Sequence, residues 1–256
     1  MRFGKIDYLN LAPFDVFIKG YPMPSGFKKF LQIHKSYPAK LNQEFLFKRI
    51  DAGFISSIAG FHSFIKNKHT KSGIIAKGDV WSVILLPKES KKDYQSATSN
   101  ALSQVLKLQG EVLIGDRALC YRYANKPHID MGREWFKTHH TPFVFGLLCY
   151  NNHQKLYNKI SKEFNARKIK IPHYILEQYA KKINIDKKYI LEYLKHIYYK
   201  IDSKEMLGLK RFYRQLLFQG IKKPMRFHSL SNPQTSTRNT KKKMQLNTNN
   251  TAHYNN

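Results

Sequence analysis

A set of polar side chains in this chain stands where hydrophobic runs end, in a pattern that suits hydrogen bonding to a small anion. Asn10 closes a short apolar stretch, Ser56 and Ser57 close a second, and Ser82 lies within a third at 80–86. Thr98 and Ser99 precede an apolar helical pattern, and Asp116 follows Ile114 and Gly115. Hydroxyls and amides donate to carboxylates, and a carboxylate accepts from a substrate hydroxyl. Each position also has an ordinary reading: Asn10 and Asp116 cap the helices that follow, the serines satisfy their own turns, and Thr98 and Ser99 open a capped helix.

The elements that must carry these groups follow from periodicity and breakers. Phe3, Lys5 and Asp7 alternate with Gly4, Ile6 and Tyr8, and Asn10 and Pro13 then end the strand and open a turn toward a helical segment at 11–18. In an open α/β sheet ligands sit beyond the carboxyl ends of strands, which is where Asn10 falls. Residues 21–36 form a loop and an element of uncertain type, and 41–49 read as a helix ended before Asp51 and Gly53. Residues 54–58, 73–76 and 80–86 read as strands, the last containing Ser82, and 87–95 as a crossing between lobes. The hydroxyls of 96–99 lead into a helix through Leu102, Val105, Leu106 and Leu108, whose amino end favours an anion. Residues 111–119 read as strand, turn and helix, with Gly115 permitting the tight turn, then a helix at 130–140 and an apolar strand at 141–150.

From Gln154 onward four apolar stripes at helical spacing follow, with Pro172 opening the second helix and Asp186 capping the third. Residues 228–256 are dominated by Ser, Asn, Thr, Gln and Lys, too polar to bury an ordering core, so a disordered basic tail is expected there. The expected organisation is a first lobe from 1–88, a second from 89–150, and a helical segment at 151–227 that completes both, mainly the first.

At 256 residues with 42% hydrophobic and 14% aromatic composition, the chain can fill one large core or two modest ones. No apolar run has the length of a secretory signal or a membrane span, which points to a soluble cytoplasmic protein. Cys120 and Cys149 lie far apart without zinc spacing and read as two buried thiols. His139 and His140 are adjacent, point apart and lack a third ligand, so they read as solvated and no metal is expected. The formal net charge is +28, but its lysines are spread over nearly every segment and no nucleic-acid motif accompanies them. That is a diffusely basic surface, with no call for nucleic acid or membrane, which still draws a dianion toward it.

Five motifs in order carry a resemblance. Tyr8 to Asn10 with Pro13, Ile50 to Ser57, Ser96 to Ser99, Ile114 to Asp116, and Pro142 to Phe145 together resemble the chorismate dehydratase family of the futalosine route to menaquinone. The likeness runs from Met1 to about Phe227 and leaves out the tail. It implies an α/β, two-lobed fold of the type II periplasmic-binding-protein kind, used as a cofactor-free lyase in the cytoplasm. It implies Asn10 as the catalytic residue, with Tyr8, Ser56, Ser57, Ser82, Thr98, Ser99, Gly115 and Asp116 around the substrate.

Chorismate is a small dianion, and its dehydration to 3-[(1-carboxyvinyl)oxy]benzoate gains aromaticity. The protein's task is therefore to position the substrate and help the hydroxyl depart. The sequence offers no convincing general base, since a carboxylate at Asp116 would be repelled unless it bound a hydroxyl or held a proton. The expectation is that the enolpyruvyl carboxylate of the substrate takes the proton while Asn10 holds the reactive conformation. Two alternatives stay open: the related dihydroxynaphthoate-forming lyase, which would use a catalytic histidine that the motifs lack, and a noncatalytic binding protein or sensor for a small carboxylate.

Overall fold

The computed structural model describes residues 1–225. The expected tail from 228 onward lies outside them. Two sheets organise the described residues. The larger has six strands in the order β2-β1-β3-β8-β4-β9, with β1 (Phe3–Ile6), β2 (Lys35–Ser36), β3 (Ala52–Ser56), β4 (His69–Ala76), β8 (Phe143–Tyr150) and β9 (Tyr198–Lys200). The smaller has three strands in the order β6-β5-β7, with β5 (Val83–Leu86), β6 (Glu111–Ile114) and β7 (Ile129–Asp130). β1 runs parallel to β2 and β3, whereas β8 lies antiparallel between β3 and β4. The three strands of the smaller sheet pair antiparallel.

Strands β3 and β8 are nearly continuous apolar runs because both of their faces are covered. β3 is buried at every residue, and in its pairing with β1 a Cβ on Gly53 would stand 2.8 Å from the Gly4 carbonyl oxygen. Helix α1 (Ala12–Gly20), begun with a proline in its first turn, lays Phe14, Phe17 and Ile18 on one flank of this sheet. Phe14 meets Phe54 and Phe164 edge to face at 4.9 and 5.1 Å, contacts worth about 0.5–1.5 kcal/mol each beyond their buried area.

Several elements differ from the sequence reading, each for a local reason. Residues 21–36, of uncertain type, form α2 (Ser25–Ile33) and β2. The helix read at 41–49 is α3 (Pro38–Leu46). The strand read at 54–58 stops at Ser56, and α4 (Ser57–Ile65) begins at once. That helix buries Ser57, Ile58, Ala59, Gly60 and Ser63, so its amino half shows no amphipathic alternation to read. The strand read at 80–86 begins only at Val83. Residues 80–82 are a turn in which Trp81 takes φ 61°, pinned by the Asp130 carboxylate, which accepts from the N–H groups of Val80 at 3.1 Å and Trp81 at 2.7 Å. Ser82 therefore precedes β5.

Strand pairing also divides the chain differently from the expected boundaries at 88 and 150. β5 belongs with β6 and β7, and β8 belongs at the centre of the six-stranded sheet. The chain passes from the larger sheet to the smaller through 77–82 and returns through 140–142. Residues 87–95 instead lead from β5 to α5 (Ala97–Val105), with Lys91 pairing beside Glu111.

Helices α6 (Gly115–Tyr123) and α7 (Met131–His139) accompany the smaller sheet, and α8 (Gln154–Ala166), α9 (His173–Ile183), α10 (Lys187–Lys195) and α11 (Ser203–Phe218) follow β8. Asp186 caps α10 through the Tyr189 N–H at 2.7 Å, and Asp202 with Glu205 forms a capping box on α11. Cys149 is buried, whereas Cys120 is half-buried and its thiol donates to the Ile183 carbonyl at 3.2 Å. His139 is likewise half-buried rather than solvated, with its ring 4.0 Å from that of Trp135, and burial holds its pKa below the ordinary value.

Candidate functional site

Three helices begin around one cleft. Ser56 ends β3 as α4 starts, Ser96 caps α5 by accepting from the Ser99 N–H at 3.1 Å, and Gly115 starts α6 directly after β6. Each amino terminus brings partial positive charge to the same space, with the Ile58, Ser99 and Gly115 N–H groups already given to Thr98 Oγ1, Ser96 Oγ and the Ser82 carbonyl. The cleft is lined by Tyr8, Asn10, Ser56, Ser82, Ser96, Thr98, Ser99 and Gly115 with the apolar Ile6, Pro38, Ile74, Val80, Val83, Ile114, Phe145 and Gly146, and encloses about 50 Å³. No charged side chain is among these described lining residues.

The hydroxyls share one arrangement. Ser56 Oγ accepts from Asn42 Nδ2 at 2.7 Å, and Thr98 Oγ1 accepts from the Ile58 N–H at 3.1 Å. Ser99 Oγ accepts from Ser96 Oγ at 2.8 Å, and Ser82 Oγ accepts from Tyr193 Oη at 2.9 Å. A hydroxyl whose oxygen is already engaged by a protein donor has its own proton left to give. Ser82 directs that proton to the Val80 carbonyl at 3.3 Å, a long bond that a better acceptor can replace. The cleft is thus built of hydrogen-bond donors, the complement of oxyanions.

Asn10 is fixed from three sides. The Leu9 N–H donates to Asp116 Oδ1 at 3.2 Å, the Leu11 N–H closes a turn onto the Tyr8 carbonyl at 3.1 Å, and Tyr199 Oη donates to the Asn10 carbonyl at 2.5 Å. Tyr8 itself donates to Gln95 Oε1 at 2.5 Å, and burial raises its pKa so that it stays a neutral donor. Its ring lies against Gly115: a Cβ there would come within 2.9 Å of the ring, and the backbone φ of +63° also favours glycine. Within this frame the Asn10 side-chain oxygen is buried without a partner. Buried polar atoms are ordinarily satisfied, so an orphan acceptor in a cleft of donors marks a place for a ligand's donor.

Two expected contact residues stand elsewhere. The Ser57 hydroxyl, fully buried, donates to the Val144 carbonyl at 2.5 Å and is consumed in joining α4 to β8. Asp116 lies behind the cleft, its carboxylate on the Leu9 N–H, and burial raises its pKa above the ordinary value. Conversely, Asn42, Tyr193 and Tyr199 serve the site and were not read from the sequence. Tyr193 and Tyr199 stand in or beside the apolar stripe at 190–198 without being part of it, and nothing local links them to partners 111 and 189 residues away. Ser96, Phe145 and Gly146 sit in or beside motifs, and Ser96 could have been found from its Ser-x-x-Ser spacing to Ser99.

Comparison with known proteins gives three findings. Residues 84–217 match a family model described as menaquinone biosynthesis. Over 215 residues the chain is 44% identical to a protein of Campylobacter jejuni named chorismate dehydratase, covering 83% of this chain and 96% of that one. Among solved structures, one from Archaeoglobus fulgidus superposes with a TM-score of 0.62 at 13% identity, over 86% of this chain and 98% of that one. The periplasmic aliphatic sulphonate binding protein of Escherichia coli superposes at 0.51 with 10% identity, over 88% and 95%. At such identities these two show the fold alone: α/β, of the periplasmic-binding-protein kind.

Proposed function

We propose, from the premise that this chain belongs to the chorismate dehydratase family of menaquinone biosynthesis, that its cleft binds chorismate through neutral donors and removes water from it to give 3-[(1-carboxyvinyl)oxy]benzoate. The observation that carries this reading is that Ser56, Ser82, Thr98 and Ser99 all accept a protein hydrogen bond, which leaves each its own proton to give, Ser82 holding its proton on the Val80 carbonyl at 3.3 Å until a better acceptor arrives. Three helix amino ends add to them. A dianion is held there without a cation that would pair too tightly with product.

The orphan oxygen of Asn10 is the acceptor for the substrate's one alcoholic hydroxyl, which fixes the ring for reaction. The C–H bond at the ether-bearing ring carbon then breaks, its proton passing to the substrate's own enolpyruvyl carboxylate. The electron pair left behind forms the new ring double bond as the neighbouring C–O bond breaks. The departing hydroxide takes that proton back from the enolpyruvyl carboxylic acid and leaves as water, so the carboxylate is restored and the atoms balance as loss of H and OH. Ser82, with its oxygen held by Tyr193, is the donor on the cleft wall that stabilises the departing oxygen. Asp116 takes no part in proton transfer; it holds the turn that carries Asn10.

The activity belongs to the futalosine route, in the cytoplasm. Among the described residues no helix is long and apolar enough to cross a membrane. Incubating purified protein with chorismate, and following its loss with the gain of an aromatic dicarboxylate by chromatography, tests the reading. Saturable binding without turnover would replace it with a carboxylate-binding protein, and turnover of a cyclic futalosine derivative with inert chorismate would replace it with the related lyase.

A further inference from the structure

A larger groove lies on the other side of Tyr199 from the reacting cleft. It measures about 850 Å³, within the ~300–1,000 Å³ of small-molecule sites, and is formed by the end of α8 with the segment after it, the outer face of α10, and β9. Its floor is apolar, from Phe164, Leu176, Leu194 and Ile197, and Leu191 and Tyr198 leave 47% and 41% of their surface exposed at its edge. Its rim is cationic. Lys77, Arg167, Lys195 and Lys200 are each matched by a carboxylate, on Glu205, Glu163, Glu192 and Asp202. Lys168 and Lys170 carry no ion pair among the described residues.

We propose that this groove is a second ligand site, for an aromatic carboxylate, and that its occupancy is felt in the cleft through Tyr199. An apolar floor below two uncommitted ammonium groups fits a flat ring with an attached anion, the ring excluding water and the anion meeting Lys168 and Lys170. Tyr199 is the physical link: its ring lines the groove beside Phe164, at 5.1 Å between centroids, while its hydroxyl holds the Asn10 carbonyl at 2.5 Å. A ring seated on Tyr199 shifts the hydroxyl that positions Asn10, so binding in the groove alters turnover without entering the cleft.

The test uses 2-naphthoate as probe on the full chain, following its fluorescence anisotropy. Saturable binding is expected, weakened tenfold or more in the Lys168→Ala/Lys170→Ala double variant, whose changes are on exposed side chains. A melting curve matching the unaltered protein shows that the variant is folded. Shikimate, a small non-aromatic ring acid, leaves the probe bound. This binding arm stands apart from the reaction assigned to the cleft, so failure of that assignment appears only as absent turnover. The kinetic arm rests on the dehydratase reading: 2-naphthoate changes kcat for chorismate with little change in KM, and Tyr199→Phe retains probe binding but loses the effect. Displacement of the probe by shikimate, competitive inhibition, or wild-type affinity in the double variant would overturn the proposal. Capture of polyglutamate without binding of 2-naphthoate would also overturn it, assigning the groove to an acidic peptide.

Discussion

The Leu9 N–H donates to Asp116 Oδ1 at 3.2 Å, tying the turn that presents Asn10 to the first turn of α6. The bond crosses between an element that follows β1 and one that follows β6, strands of different sheets. It gives the Asp116 carboxylate a mechanical role. Burial raises the Asp116 pKa despite this N–H and the field of Lys182. The folded state therefore keeps its proton to higher pH than the unfolded state, in which Asp titrates near 3.9. Below that value both states are protonated and the group contributes nothing. As pH rises from there through the folded-state pKa, the unfolded state loses its proton first and stability falls. Asp116→Asn removes this loss, so the variant should gain stability relative to the parent across that window and hold the gain above it. Chemical unfolding of both proteins at a series of pH values measures the difference; a gain that instead appears on lowering the pH would contradict the burial argument.

Rates separate Asn10 from Asp116. Asn10→Asp places a carboxylate where a dianion must bind and should lower kcat/KM for chorismate by roughly a hundredfold or more, as loss of a reaction-centre contact does. Asp116→Asn keeps an acceptor for the Leu9 N–H and should stay within about tenfold of the parent. Steady-state kinetics on the two variants decide this, and the opposite order would make Asp116 a participant in the chemistry.

These roles show where the sequence was legible and where it was not. Asn10, Ser82, Thr98 and Ser99 lie at or near the ends of hydrophobic runs, and such punctuation survives in one dimension, so the cleft's own wall could be read. Ser57 could not be told from Ser56, because which of two adjacent hydroxyls faces the cleft depends on whether the strand ends before or after them. Tyr193 and Tyr199 could not be read as site residues, since a tyrosine in an apolar stretch, whether on α10 or on β9, looks like any packing aromatic until its hydroxyl partner is placed. The strand at 83–86 falls within the expected first lobe at 1–88 but pairs with β6, after the Trp81 turn that Asp130 sets from 49 residues away.

Ser99→Ala removes one outward-facing proton and leaves Ser96 Oγ without its acceptor at 2.8 Å. A hydrogen bond to a charged group contributes about 1.5–3 kcal/mol, so affinity for an unreactive chorismate analogue should drop roughly tenfold or more. Thr98→Val should cost both affinity and stability, because Thr98 Oγ1 also accepts from the Ile58 N–H. Calorimetric titration and thermal melting together distinguish the pair. Unchanged affinity in the Ser99 variant would remove the start of α5 from the anion site.

Tyr193→Phe tests whether the direction of the Ser82 proton matters. Without the Tyr193 donor, Ser82 Oγ becomes free to accept, and the hydroxyl is no longer held as a donor that can exchange the Val80 carbonyl for the departing oxygen. Turnover should fall severalfold with KM changed less, since the lost contact is to the oxygen that becomes charged only as it departs. Equal losses in KM and kcat/KM with kcat unaltered would assign Ser82 to simple substrate binding.

The cleft as it stands encloses about 50 Å³, far below the ~300–1,000 Å³ of ordinary small-ligand sites. Chorismate cannot enter a space that holds only a few waters, so substrate entry requires the walls to separate. Ser56 ends a strand of the six-stranded sheet and Gly115 follows one of the three-stranded sheet, while 77–82 and 140–142 are the segments that cross between them. We expect these crossings to act as the hinge, with the structure described here lying close to the closed state. Small-angle scattering should then show a radius of gyration for the ligand-free protein above that calculated from the closed arrangement, falling when an unreactive chorismate analogue is added. Trp81 sits in one crossing, with the Arg122 guanidinium 3.8 Å from its ring centre, so its fluorescence should change in step with the scattering. A radius of gyration and an emission spectrum that both stay constant through saturation would mean that substrate reaches the cleft by local side-chain motion alone.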